Sequence, residues 1–179
     1  MPVDANGTKV SQAVAIAAWT VVARDTLLTT ARRYHSVITY KELASEVQEV
    51  SGITTAQRLD YWIGRLLENV AVEATQRGDP PLTALCVHQD GTIGPGYAKA
   101  PKSVASDPDA DVDLLAAEHR LLCYRAYAED LPADGGVAAL TPQVAARKAR
   151  RRKTEPVALP VCPIHSMELS TTGVCALCE

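Results

Sequence analysis

Two pairs of cysteine and histidine near the end of the chain carry the clearest chemical signal. They are Cys162-Pro-Ile-His165 and Cys175-Ala-Leu-Cys178, each with two residues between ligands and with nine residues between the pairs. Pairs of this spacing form knuckles that aim both side chains at one ion, with zinc–sulfur distances of about 2.3 Å and zinc–nitrogen distances of about 2.0 Å. Four protein ligands complete a tetrahedral shell and leave no place for water. The spacing therefore predicts a structural Zn2+ held by Cys162, His165, Cys175 and Cys178, in a segment too small for a core of its own. Four of the chain's nine Cys and His residues fall in these seventeen positions, which unrelated tail residues would not do. Five cysteines in all do not resemble the paired framework of a small secreted domain, so reduced thiols are expected.

A second chemistry is cationic. Arg147, Lys148, Arg150, Arg151, Arg152 and Lys153 put six positive charges into seven positions. Such a block releases counterions from a nucleic acid, although a solvated linker would have the same composition. Further upstream, Arg58, Tyr61 and Arg65 recur at i, i+3 and i+7 on an expected third helix and would lie along one edge, with Tyr40 and Lys41 at the start of the second. An arginine edge can contact guanine or phosphate. Asp60, Glu68 and Glu73 on the same helix fit an ordinary solvated face equally well. Cys86, His88 and Asp90 alternate like a nucleophile, a base and an orienting acid. Side-chain roots two apart on a strand are roughly 6 to 7 Å apart, and Asp90 belongs to a turn, so packing is the expected role. His35 and His119 have no patterned partner.

The elements that must position these groups follow from periodicity. Apolar residues from Val14 to Leu28 recur at helical spacing with no Pro or Gly between them, which predicts a long first helix over about 11 to 31. Thr39-Tyr-Lys-Glu42 is a capping box that opens a short second helix, stopped by Ser51-Gly52. A third helix after Thr54 carries Leu59, Ile63, Leu66, Leu67, Val70 and Ala74, and ends at Gly78-Asp-Pro-Pro81. Asp90-Gly91 between Leu82–His88 and Thr92–Tyr97 predicts a hairpin with a type I′ turn. Three helices and a hairpin in that order are a winged helix-turn-helix. Residues 99 to 111 read as a linker, and 112 to 128 as a fourth helix with an apolar surface for packing on the first domain or on a second copy.

Charge is segregated although the net value is only −3. Residues 1 to 103 balance ten bases with ten acids, whereas 104 to 134 hold eight acids against Arg120 and Arg125. A local basic block acts within a Debye length of about 8 to 10 Å whatever lies beyond it. No run reaches the roughly 18 to 20 apolar residues of a membrane span, and the first 30 residues lack a signal-peptide pattern, so a cytoplasmic protein without membrane contact is expected.

Three stretches, Val37-Ile-Thr-Tyr-Lys-Glu-Leu-Ala44, Ile63-Gly-Arg-Leu-Leu67 and Asp90-Gly-Thr-Ile-Gly-Pro-Gly-Tyr97, together resemble the alkylguanine-DNA alkyltransferases and the alkyltransferase-like proteins. Those proteins carry a Thr-Tyr-Gly-x-Ile/Leu-Ala stretch, a Val-Gly-x-Ala-Leu helix and an Asp-Gly-x-x-Gly-Gly-Tyr wing in the same order. The match spans about residues 37 to 97, and Tyr40 matches the tyrosine of the Thr-Tyr pair. Counting back from Asp90 places Thr83 where the resemblance implies the alkyl-accepting cysteine, while Cys86 lies three residues nearer the turn without a following His-Arg. Tyr61 stands in place of the family's arginine before the helix glycine. The resemblance thus implies a winged-helix architecture and DNA contact without the transfer reaction.

The expectation is a mainly α chain with a small β-hairpin. It has a winged-helix domain at 11–98, an acidic helical segment at 111–130, a basic linker at 131–158 and a zinc-ribbon-like module at 159–179. Its expected role is non-enzymatic nucleic-acid binding, with duplex DNA as partner and a homodimer through 112–128 as a further possibility. The rival readings are a protein interaction adaptor and a repair-related enzyme.

Overall fold

The computed structural model describes residues 1–94, 96–97, 111–154, 161–167, 169, 173, 175 and 177–178. The linker expected at 99–111 lies, Asp111 apart, outside the described residues, as do residues 155–160, Thr172 and the side chain of Lys153. Five α-helices and a two-stranded sheet form the described chain: α1 Gln12–Ala31, β1 Ile38–Thr39, α2 Tyr40–Ser51, α3 Ile63–Arg77, β2 Cys86–Val87, α4 Val112–Tyr127 and α5 Pro142–Thr154. The mainly helical composition is as expected.

Local sequence explains the helix ends. Ser11 caps α1 by accepting from the Val14 amide at 3.2 Å. At α2 the capping box closes both ways: the Glu42 amide donates to Thr39 Oγ1 at 3.2 Å and the Thr39 amide to the Glu42 carboxylate at 2.8 Å. These bonds to Thr39 hold the Glu42 carboxyl below its ordinary range. Gly78 ends α3 in the left-handed conformation, φ 76°, with the Asp79 amide returning to the Ala74 carbonyl at 2.9 Å.

Residues Met1–Ala145 form one compact unit and Ala146–Glu179 a second, so α5 begins in the first and ends in the second. The core of the first unit is built on α1, whose Ala15, Ile16, Trp19, Ala23 and Leu27 are buried with Leu43 and Val47 of α2 and Leu66 and Val70 of α3. Trp19 and Trp62 pack with ring centroids 4.5 Å apart. In length and composition α1 alone among the described helices could cross a membrane. Its apolar side is instead a core face, and it carries Arg24 in an ion pair with Asp79 at 2.7 Å. Of the two packings expected for the acidic segment, on the first domain or on a second copy, the described chain has the first: Ala116, Ala117, Cys123 and Tyr124 of α4 are buried, with the Tyr124 hydroxyl donating to the Ser36 carbonyl at 2.7 Å.

Two expectations are corrected. The hairpin is absent among the described residues; β2 pairs in parallel with β1, with Ile38 opposite Cys86 and Thr39 opposite Val87. Asp90-Gly91 does make a turn, with the His88 amide donating to the Thr92 carbonyl at 2.8 Å. However, only Gly91 has positive φ there, so the turn is not type I′. The returning segment has its amides taken by side chains: Ile93 donates to Asp113 and Gly94 to the Tyr40 hydroxyl, at 2.9 and 3.0 Å. A returning strand does not form among the described residues because its donors are already paired. The third helix is also shorter than expected. Leu59–Tyr61 is a separate 3₁₀ turn and α3 starts at Ile63.

Candidate functional site

A cavity of about 880 Å³ opens in the first unit between the start of α2, the first turns of α3 and the segment from Thr83 to Tyr97. Its apolar wall is Leu59, Ile63 and Leu67, and its polar groups include Tyr40, Thr83 and His88. The capping box fixes Tyr40 as the first residue of α2, and the Gly94 amide then donates to its hydroxyl. His88 lies edge-on to the Tyr40 ring at 4.6 Å. A Cβ at Gly94 would meet the Tyr40 hydroxyl, so any other residue there would have to displace the Tyr40 side chain. Burial pushes the Tyr40 phenol up to about 12, with Cys86 adding to the rise and the Gly94 bond opposing it. The hydroxyl is therefore a neutral hydrogen-bonding group through the physiological range.

Among the described residues the cavity contains no activated nucleophile. Cys86 is fully buried behind it and desolvation raises its thiol far above the ordinary value, so no thiolate forms near neutral pH. Thr83 in the wall is a hydroxyl with no base among the bonds it makes in the described structure. His88 and Asp90 are exposed, and Asp90 accepts from the Thr92 amide and hydroxyl at 3.1 and 2.6 Å, as a turn residue does. The alternating Cys86, His88 and Asp90 do not form a catalytic set. His119 is placed differently from a surface residue: its Nδ1 lies 2.7 Å from the Tyr97 hydroxyl, and burial lowers its pKa.

The cationic residues do not share one edge. Arg58 lines the large cavity with its guanidinium 2.7 Å from Asp60 and 5.8 Å from the Tyr61 ring centroid. Tyr61 and Arg65 line a smaller neighbouring cavity instead. The 3₁₀ turn resets the phase between Arg58 and Arg65, which breaks the i, i+3, i+7 alignment. Lys41 is exposed on α2. Arg147, Lys148, Arg150, Arg151 and Arg152 all lie on α5, and the four arginines are exposed. The N-terminal end of α5 is fastened in the first unit: Thr141 is buried and donates to the Gly91 carbonyl at 2.9 Å, and Val144 is buried.

The second unit holds the metal-ligand cluster. Cys162, His165, Cys175 and Cys178 present ligand atoms that all lie within 4.8 Å of one another. Tetrahedral zinc would place two sulfurs about 3.8 Å apart and a sulfur and a nitrogen about 3.5 Å apart, from the bond lengths of such sites. Cys162 and Cys178 sulfurs are 3.6 Å apart, and His165 Nδ1 lies 3.8, 3.6 and 3.3 Å from the sulfurs of Cys162, Cys175 and Cys178. The four side chains can hold a metal ion, and three soft thiolates with one imidazole fit zinc. Backbone amides of His165 and Ile164 point at Cys162 Sγ and bring its pKa down to about 6. Hydrogen bonds to Cys162 and Cys175 push Cys178 up to about 11.

Reading by periodicity missed the cavity. The signal was the joint occurrence of three separate stretches: Tyr40 comes from the first, Ile63, Gly64 and Leu67 from the second, and Gly94, Gly96 and Tyr97 from the third. No family model, curated protein or solved structure matches the chain.

Proposed function

We propose that this protein binds DNA without chemically changing it. In this reading one unstacked base enters the large cavity while α5 and the metal module contact the phosphate backbone. The observation that carries the reading is the meeting of the three alkyltransferase-like stretches on one cavity with Thr83 in its wall. Thr83 is the position at which the resemblance implies an alkyl acceptor, so the pocket is suited to an alkylated purine and lacks the group that would remove the alkyl. A base taken from the stack is recognised by hydrogen bonds at its edge and by packing against flat side chains, which Tyr40, Thr83 and His88 offer here. The alkyltransferase-like winged helix is part of the same proposal, with α2 and α3 as the helix pair and the Asp90–Gly91 turn as a reduced wing. The cluster at the end is a structural zinc site. Closed thiolate coordination and buried reduced thiols fit a reducing, cytoplasmic setting.

The test is a mobility-shift titration with duplexes differing by one O6-alkylguanine, followed by intact mass of the protein. Tighter binding to the alkylated duplex with unchanged mass is expected. A mass increase, on Cys86 or elsewhere, would instead establish transfer. A protein-binding adaptor has its own support in Leu114 and Leu122, which are half exposed on α4. Light scattering of the protein alone checks it, since a dimer through 112–128 would double the mass.

A further inference from the structure

The metal module turns its apolar side chains outward. Val161, Ile164, Met167 and Leu177 are all exposed, Ile164 at 76 % and Leu177 at 60 %. Thirteen large apolar side chains are exposed among the described residues, and these four fall within seventeen positions. Apolar residues scattered singly over a surface are ordinary, whereas a group of them marks a place of contact. Their places are set by the knuckles: Ile164 directly precedes His165 and Leu177 directly precedes Cys178, and the ligand atoms of those two are 3.3 Å apart. The Ile164 amide is directed at Cys162 Sγ, so its backbone is committed to the knuckle while its side chain stays in solvent. The same unit, Ala146–Glu179, contains the C-terminal part of α5 with Arg147, Arg150, Arg151 and Arg152 exposed, and none of its described residues is acidic. Arg147, Arg150 and Arg151 stand at i, i+3 and i+4 and share one helix face.

We propose that the second unit binds single-stranded DNA, with Ile164 and Leu177 packed on unpaired bases and the α5 arginines on the phosphates between them. A surface both cationic and apolar suits a partner that is anionic along its length and offers apolar faces at the same time. Duplex DNA meets only the first condition, because its base faces are stacked on one another. In a single strand the rings are open to contact and the phosphates remain. Aliphatic side chains cover a ring face by burial alone, without a hydrogen bond to any particular edge, so binding of this kind tolerates many sequences. The guanidinium fork takes phosphate oxygens in pairs. The proposal rests on the DNA reading for its ligand and adds contact with bases to the phosphate contact assigned to the module there.

The experiment titrates a fluorescent oligothymidine of about twelve nucleotides, and a blunt duplex of equal length, with zinc-loaded full-length protein at about 150 mM salt. Wild type should bind both. Ile164→Ser with Leu177→Ser should weaken oligothymidine binding about tenfold and leave duplex binding within about twofold, with about one zinc per chain retained. A pair that disturbed the knuckles would lose zinc, so Ile164→Phe with Leu177→Phe is the second variant: aromatic rings stack on bases and should tighten oligothymidine binding severalfold. An equal loss on both probes, or oligothymidine binding unchanged in both variants, would overturn the proposal. Failure of wild type to bind oligothymidine while it binds the duplex would also overturn it and leave the DNA reading intact. Oligothymidine binding that responds to both variants, in a protein that binds no duplex, would support the single-strand surface and overturn the duplex reading. Variants that abolish a dimer in light scattering without altering oligothymidine binding would assign the surface to a second copy and overturn the proposal.

Discussion

Asp79 shows how one side chain ties three helices together. It follows the C-cap of α3, accepts from Arg24 of α1 at 2.7 Å and from the Tyr127 hydroxyl of α4 at 2.9 Å. Burial alone would raise its carboxyl, but the bonds from Arg24 and Tyr127 outweigh it and hold the group below its ordinary range. A carboxylate depressed in the folded state stabilises fully above its unfolded pKa of about 3.9, and that stability is lost as pH falls through the lower folded value. Asp79→Asn should therefore cost about 2 kcal/mol in urea unfolding at pH 7, because Arg24, mostly buried, keeps only its longer contact with Asp25 at 3.8 Å. The difference from wild type should shrink below pH 4. Gly91 makes a comparable test of the turn: its φ is 78° and a Cβ would strike Thr141 Oγ1. Gly91→Ala should cost about 2 kcal/mol in the same assay. At this scale the sequence was most readable where the physics is local, as in the Thr39 and Glu42 box or the Cys and His pairs. Asp79 could not be read this way, since its partners lie 55 and 48 residues away.

Among the elements, the helices were legible because their stop signals are short-range, whereas the sheet was not. Asp90-Gly91 resembles a hairpin turn to any local rule, yet the β2 ladder goes to β1 nearly fifty residues earlier, and Tyr40 and Asp113 take the amides a second strand would have used. The arginine edge failed for a related reason. Three residues of 3₁₀ turn at Leu59–Tyr61 shift the phase of everything before α3, and hydrophobic spacing does not register a break that short. The cavity depends on both features. Gly64 lies at its wall with nothing within 4 Å of an added Cβ, so Gly64→Phe should fold normally and fill the pocket. Circular dichroism should be unchanged, while any preference for an alkylated duplex disappears and binding to plain duplex persists. The α5 variant should do the reverse. Replacing Arg150, Arg151 and Arg152 by Ala weakens binding to all duplexes alike, and the slope of log affinity against log salt falls by roughly 0.9 for each phosphate that the variant no longer neutralises.

For the whole molecule, the division into two units makes metal removal a selective perturbation. The first unit owes its core to α1, α2, α3 and α4, and none of the four residues that could hold a metal ion belongs to it. Chelation, or Cys175→Ser, should release about one zinc per chain and abolish protection from proteolysis only in the second unit, because coordination supplies the folding free energy that so short a segment lacks. Loss of structure in residues 1–145 on chelation would show that the units are not independent. The sequence marked the metal-ligand cluster through its spacing, while the division between Ala145 and Ala146 falls inside what read as a basic linker at 131–158. It did not show that 111–130 joins the first unit, because an apolar helix face reads the same whether it meets its own chain or another.

Whether the chain holds DNA and leaves it chemically unaltered is decided by titrating the intact protein with plain and O6-alkylguanine duplexes at about 50 to 200 mM salt. Affinity should fall steeply with salt on both duplexes, binding should be tighter to the alkylated one, and the protein mass should be unchanged after incubation. Absence of binding at the lowest salt, or equal and salt-insensitive binding to both duplexes, would rule out DNA binding of this kind.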